Sequence, residues 1–339
     1  MRRKSLIIIL IACLPLLSIL NLMTGSVEIP CDEIIKILFG NEDVDQTWQN
    51  IVLRTRLPQT LTALACGSCL SIAGLEMQTI FKNPLAGPSV IGVSSAASLG
   101  VALVVLMNGA FGGVAISKFG IIGNTAITLA ASAGAMMVMA IISLLSQKIE
   151  NKATLLIAGV MIGYIASAVT GVLKYFSSEE DIRTYVIWGL GSFSKVTGGQ
   201  VYVFVGLVAL MLPPTILLQK PLNQLLLGEK YAENLGLNIK KARLLTLLSA
   251  GALTAIATAY CGPIMFIGLA VPHICKGMLD TTDHKILLPA TMVCGGVIAL
   301  LCNLIAKMPG AEGSLPINSV TALIGAPVAL KVILKKHIR

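Results

Sequence analysis

Charge is scarce in this chain. Asp, Glu, Lys and Arg make up 12% of its 339 residues, about half the roughly 25% of an ordinary soluble domain. So few polar groups cannot cover a water-facing surface of this size, which excludes a soluble cytoplasmic enzyme and a disordered protein. Cysteine is present without a pattern. Seven of the eight lie in or at the ends of apolar runs, and only Cys31 sits in a polar segment. That excludes a disulfide scaffold, and Cys66-x-x-Cys69 has no further ligands to complete a metal site. No H-E-x-x-H, nucleophile elbow or Ser/His/Asp set appears, so membrane-enzyme chemistry has no carrier. The phosphate loop G-x-x-x-x-G-K-[ST] is absent as well. If the chain moves a solute uphill, the energy comes from another subunit.

What remains is oil. Apolar side chains make up 55% of the sequence and the mean hydropathy is +0.86. A helix needs about 20 apolar residues to cross a bilayer. Gaps between charges give ten such runs, at about 5–25, 57–81, 90–107, 120–147, 153–173, 196–219, 244–261, 264–279, 286–306 and 313–331. Lipid offers no water to backbone groups, so these runs are expected to be helices. The fold class is an all-α polytopic membrane protein with ten transmembrane helices, a single domain over 1–339. The first run lacks a small-x-small cleavage site and reads as a span rather than a leader. Between Lys82 and Lys118 there are 35 uncharged residues, too many for one span. Asn83-Pro84 marks its start and Gly112-Gly113 its helical end. Gly262-Pro263 divides the run 244–275 into a hairpin.

Ten spans put both termini on one side. On the alternating map that side holds 17 of the 25 Lys and Arg residues, which places both termini in the cytoplasm. The net charge of +9 is then a loop charge, and no nucleic-acid partner is expected. Ionisable groups inside the spans are few. Glu76 lies one turn from the cytoplasmic end of the second run and is expected to snorkel or to pair with Lys82. His273 is expected to pack or hydrogen-bond rather than to bind metal. Small residues such as Gly67 and Gly295-Gly296 allow close helix packing. The longest cytoplasmic loop is 220–243. Within it Gly228 and Gly236 bracket a two-turn piece with a small apolar patch, which suits either partner docking or a simple connection.

Several segments, taken in order, resemble the FecCD family, the permeases of ABC importers for iron–siderophores, haem and cobalamin. They begin with Arg56-Leu-Pro-Gln-Thr-Leu, Gly74-x-x-x-Gln78 and Asn83-Pro-Leu-Ala-Gly-Pro-Ser-Val-Ile-Gly92. Leu155-Leu-Ile-Ala-Gly-Val160, Trp188-Gly-Leu-Gly-Ser192 and Leu227-Gly-Glu…Ala232…Leu235-Gly236 continue the set. Gly262-Pro-Ile-x-Phe-Ile-Gly-Leu-x-x-Pro-His273, Asp283-His284, Leu288-Pro289 and Leu315-Pro-Ile…Thr321-Ala-Leu-Ile-Gly-Ala-Pro327 complete it. The resemblance implies a cobalamin-importer-permease-like fold in the inner membrane and a homodimer with the pathway at its interface. It also implies two ATPase subunits below and a periplasmic or lipoprotein substrate-binding protein above. ATP and magnesium would sit on the ATPase, and this chain would bind no cofactor and catalyse no reaction.

Residue roles implied by the resemblance are these. Arg56 and Lys307, with Arg54 as a companion, meet acidic residues of the binding protein. Asn83 and Leu85 form one part of a cytoplasmic gate, and Asn151, Lys152 and Ala153 correspond loosely to a second. Lys152 departs from the small polar residues expected there. It is either an exit charge for an anionic substrate or a topology charge. Leu227, Gly228, Glu229, Ala232, Leu235 and Gly236 couple to the ATPase. Tyr164, Ser167, Thr170, Ser319 and Thr321 line the route. The cargo is a metal chelate of the ferric siderophore, haem or cobalamin type, with the ferric siderophore favoured as the family's most common class. The competing reading is a stand-alone secondary transporter coupled through Glu76, and a third is a membrane scaffold.

Overall fold

The computed structural model describes residues 2–40, 44–110, 120–149, 151–307 and 314–337. The Gly112-Gly113 turn, Lys118 and the first residue of the run 313–331 lie outside them. The described residues form helices and loops, with no strand among them. α1 (Arg2–Met23) is followed by the short α2 (Cys31–Leu38) and α3 (Gln46–Ile51). A π-helical turn at Val52–Arg56 leads into α4 (Leu57–Phe81). Then come α5 (Val93–Ala110), α6 (Gly120–Lys148), α7 (Lys152–Tyr175), α8 (Glu179–Gly189), α9 (Gly199–Leu217), α10 (Gln219–Leu227) and α11 (Glu229–Asn234). The chain ends with α12 (Ile239–Cys261), α13 (Ile267–Leu279), α14 (His284–Ala306) and α15 (Ile317–His337).

Seven helices among the described residues are long and apolar enough to cross a membrane, and α5, α13 and α15 are shorter apolar helices. The expected ten runs therefore divide into seven long helices and three short ones. α13 has 13 residues, which span only about 20 Å of a roughly 30 Å core. α12 starts at Ile239, before the expected 244, because Lys240, Lys241 and Arg243 are good helix formers and Asn238 caps the helix by accepting from Lys241 N–H at 2.9 Å. α10 was not expected as a helix of its own.

α4 is the axis of the bundle. Its apolar residues have no preferred side, and nearly every one is buried, as expected of a helix surrounded by others. α14, α12, α13 and α9 pack around it. Glycine sets the spacing. A Cβ at Gly67 would collide with the Gly295 carbonyl oxygen, and one at Gly74 with that of Gly268, so α14 and α13 meet α4 backbone to backbone. A buried amide chain adds direction. Gln59 Nε2 donates to Asn303 Oδ1 at 3.0 Å and Asn303 Nδ2 to Asn21 Oδ1 at 2.8 Å, linking α4, α14 and α1. By contrast α7 and α9 expose most of their apolar surface. The helix polarities put the ends of α1, α14 and α12 with the starts of α4 and α15 at one end of the bundle. The starts of α7, α12 and α14 gather at the other, with α10 and α11.

Candidate functional site

A cavity of about 300 Å³ opens between α5, α7 and α8. Ser94, Ser95 and Ser98 of α5 face Ser167 and Thr170 of α7 across it, with Tyr185 of α8 at one side. Lys174 Nζ stands 4.5 Å from the centre of the Tyr185 ring. Met265 and Asn318 form another wall. Asn318 is an organiser: its Oδ1 accepts from Met265 N–H at 3.0 Å and its Nδ2 donates to Pro263 and Gly189 carbonyls at 2.6 and 3.2 Å. Phe266 in the same loop holds φ at +67°, a conformation that costs a non-glycine residue about 1 kcal/mol. Of the residues expected to line a route, Ser167 and Thr170 are in this cavity. Tyr164 is 66% exposed on the outer face of α7, Ser319 is exposed, and Thr321 is buried with its hydroxyl on the Asn318 carbonyl. The α5 serines were missed, although Ser94-Ser95-x-x-Ser98 places three hydroxyls on one face of an apolar helix.

Residues 82–92 connect α4 to α5, and Ser89 among them lines the cavity. The proline-containing backbone runs as successive turns: Ala86 N–H to Asn83, Val90 N–H to Gly87 and Gly92 N–H to Ser89. Asn83 Oδ1 holds Leu85 N–H at 3.0 Å, so the two expected gate residues form one turn. His273 Nε2 donates to the Pro84 carbonyl at 2.7 Å, the hydrogen-bonding role expected of it. Gly92 has φ +83° and lies against the backbone of Gly159 and Gly163 on α7. Only glycine tolerates both the dihedral and that approach. The second gate segment starts α7, where Asn151 Oδ1 caps the helix by accepting from Ala153 N–H at 2.9 Å and Thr154 N–H at 3.3 Å.

Lys152, expected as either an exit charge or a topology charge, makes an ion pair that the sequence does not announce. Its Nζ pairs with Glu229 Oε1 of α11 at 3.0 Å, and Arg243 Nη2 of α12 pairs with the same oxygen at 2.8 Å. Arg243 also donates to the Ile149 carbonyl at 3.1 Å, beyond the end of α6. Burial would raise the Glu229 pKa, but the hydrogen bonds and charges of Arg243 and Lys152 outweigh it and hold the carboxyl below its ordinary value. α11 itself ends as expected at Gly236, where φ is +84°. Leu237 N–H reaches the Ala232 carbonyl and Gly236 N–H that of Glu233, a Schellman ending. α10 has a separate anchor. Asn223 Oδ1 accepts from His284 N–H and His284 Nδ1, each at 2.8 Å, and Asn223 Nδ2 donates to Asp283 Oδ1 at 2.7 Å. His284 Nε2 lies 2.9 Å from Thr79 Oγ1 of α4. The outer faces of Leu226, Leu227, Tyr231 and Leu235 remain exposed.

At the opposite end the expected docking cations are turned inward. Arg56 is 4% exposed and donates to the carbonyls of Leu22, Met23 and Val27. Lys307 Nζ donates to the Asn21 carbonyl at 3.3 Å. Burial, with the charge of Arg56 adding, pushes the Lys307 pKa down to about 8. Both cations thus satisfy the unpaired carbonyls that end α1. Arg54 alone of the three is exposed. Glu76 also departs from expectation. It neither snorkels nor meets Lys82. It is fully buried, and its Oε1 accepts from Ser249 Oγ of α12 at 3.0 Å. It lies outside the lining of the serine cavity.

The comparisons agree with this architecture. Residues 11–335 match the model of the FecCD transport family. Vitamin B12 import system permease proteins from Salmonella typhi and Salmonella newport are each 36% identical over 285 residues, covering 84% of this chain and 83% of theirs. A metal-chelate type ABC transporter solved in an inward-facing conformation superposes with a TM-score of 0.83 at 28% identity, covering 98% of this chain and 99% of that one. The fold is shared more distantly with PsaBC from Streptococcus pneumoniae, solved with a Fab, at a TM-score of 0.50 and 15% identity over 88% of this chain and 94% of that one. The chain belongs to the FecCD transport family and is the permease subunit of an ABC importer, with ATP hydrolysis carried by a separate subunit.

Proposed function

We propose that this permease carries a metal-centred chelate across the inner membrane, working as a homodimer with two ATPase subunits and a substrate-binding protein. The observation that supports it most is the α10–α11 segment. Two short helices present an exposed apolar surface and are tied to α4, α14, α7 and α12, which is the arrangement a separate engine needs in order to move the bundle. On this reading α10 and α11 face the cytoplasm with both termini, and all ten apolar helices cross the membrane. The turn of Asn83 and Leu85 and the start of α7 at Asn151–Ala153 form the inner gate. The hydroxyl-lined cavity belongs to the route. Its polar groups are mostly neutral hydroxyls, with Lys174 the cation among them, and select weakly, so the choice of cargo falls to the binding protein. That protein docks over the rim holding Arg54, Arg56 and Lys307. Relatives named for vitamin B12 put cobalamin first among candidate cargoes, ahead of ferric siderophores and haem.

The test is uptake by vesicles holding this chain with its ATPase and binding protein. Cyanocobalamin, a ferric hydroxamate and haemin are offered in turn. One of them is expected to accumulate with ATP inside the assay and to stay out when any component is missing. Accumulation by vesicles holding the chain alone would instead support a secondary transporter. Glu76→Gln separates the two readings again: it keeps an acceptor for Ser249 and leaves ATP-driven uptake intact, whereas a proton-coupled carrier would lose transport.

A further inference from the structure

α7 packs along one face only for most of its length. Its packing partners are α5, with smaller contacts to α6 and α4, and much of its apolar surface is exposed. Its first turn is held quite differently. Lys152 is its first residue, and its side chain is 20% exposed where it reaches Glu229. Glu229 is the first residue of α11, and its Oε1 takes both Lys152 and Arg243. Two of the three ion pairs among the described residues thus converge on one oxygen atom. Arg243 is the fixed side of the junction. Its side chain is 8% exposed, and it is also bonded to the Ile149 carbonyl at the end of α6. Lys152 is the more exposed cation of the two, 20% against 8%.

We propose that Lys152 is a positioning residue that transmits displacement of α11 to α7 through Glu229. A shift of α11 pulls on Glu229, and the ion pair draws the first turn of α7 with it. That turn carries Asn151 and Ala153. Further along, Gly159 and Gly163 lie against Gly92, and Ser167 and Thr170 face the cavity. One rigid helix therefore joins the ion pair, the 82–92 loop and the cavity wall. A cation is required at 152 because the partner is a carboxylate shared with Arg243; a neutral residue leaves Glu229 with Arg243 alone and α11 tied only to α12. The two short helices then move without moving α7.

The inference rests on the proposed metal-chelate cargo, and one experiment tests both. Vesicles holding the complete importer are assayed for ATP hydrolysis and for uptake of whichever of cyanocobalamin, ferric hydroxamate or haemin the wild type accumulates. Lys152→Ala and Glu229→Ala are each expected to cut uptake about tenfold, and in Lys152→Ala, which leaves the ATPase-facing helices intact, hydrolysis stays within about twofold. The double variant should be no worse than either single one, because the second change removes nothing further. Lys152→Arg should restore most of the uptake. Losses that multiply in the double variant, unchanged uptake in Lys152→Ala, or hydrolysis and uptake falling together in that variant would each overturn the transmission role. Failure of the wild type to accumulate any of the three overturns the metal-chelate cargo proposed above, and the inference as it rests on that cargo.

Discussion

The short helices α10 and α11 are adjacent in sequence but fastened in opposite ways. α10 is fixed by hydrogen bonds: Asn223 to the start of α14, and His284 onward to Thr79 in the buried axis α4. His284 is 1% exposed, so water does not compete for these bonds. α11 is fixed by ion pairs at a partly exposed junction, to helices that are themselves less buried than α4. A buried hydrogen-bonded contact demands one geometry and is costly to break. A partly exposed ion pair keeps much of its attraction over small displacements, since Coulomb energy falls slowly with distance. The contrast assigns α10 the part of a fulcrum and α11 the part of a lever.

The largest effect should come from the fulcrum. His284→Ala leaves Asn223 and Thr79 facing a void and should cost about 2–4 kcal/mol, from the lost side-chain volume and the unpaired polar groups. Thermal unfolding of the purified complex reads this directly, and a fall of under about 1 kcal/mol would mean that α10 is not held there. Asn223→Ala should cost less, about 1–3 kcal/mol, because the imidazole stays in place and only its partners are lost. If Glu229→Gln proves as destabilising as His284→Ala, the distinction between fulcrum and lever fails. A milder way to loosen the lever is acid. Glu229 has a depressed pKa, so its contribution is fully present above the ordinary glutamate value of 4.5 and disappears as pH falls through the lower folded value. Hydrogen exchange of α11, with α10 in the same sample as reference, should show α11 opening first below that range.

The helices that carry this contrast were legible in the sequence more than the contrast itself. Gly228 and Gly236 marked α11 because each meets a backbone need that few other residues satisfy. The apolar runs marked the long helices because lipid leaves backbone groups no other partner. The ion pairs were not legible. Lys152 and Glu229 are 77 positions apart, and no local rule joins residues that meet only through the packing of α6, α7 and α12. The inward contacts of Arg56 and Lys307 were not legible for a related reason. The sequence sets their side of the membrane but does not show that their side chains reach the carbonyls at the end of α1. Glu76 was expected to snorkel or to pair with Lys82 because a carboxylate near a helix end usually reaches water or a cation. Here α12 covers it and Ser249 supplies the hydrogen bond.

The smallest expected effect lies at Lys82, between the axis and the fulcrum. Lys82 ends α4 with φ at +47°, three residues after the Thr79 that faces His284. Its Nζ is 3.5 Å from the Leu226 carbonyl of α10, a long contact on an exposed side chain that contributes little. The left-handed backbone costs lysine about 1 kcal/mol relative to glycine, and glycine's greater freedom in the unfolded chain returns part of that difference. Lys82→Gly should therefore stabilise the complex slightly, by about 0.5 kcal/mol and about a degree in melting temperature, with uptake unchanged. A clear destabilisation would show that the lysine amine is a further tether of α10. The division between a fulcrum held by buried hydrogen bonds and a lever held by charge would then have to be redrawn, since an exposed cation would be sharing the work of Asn223.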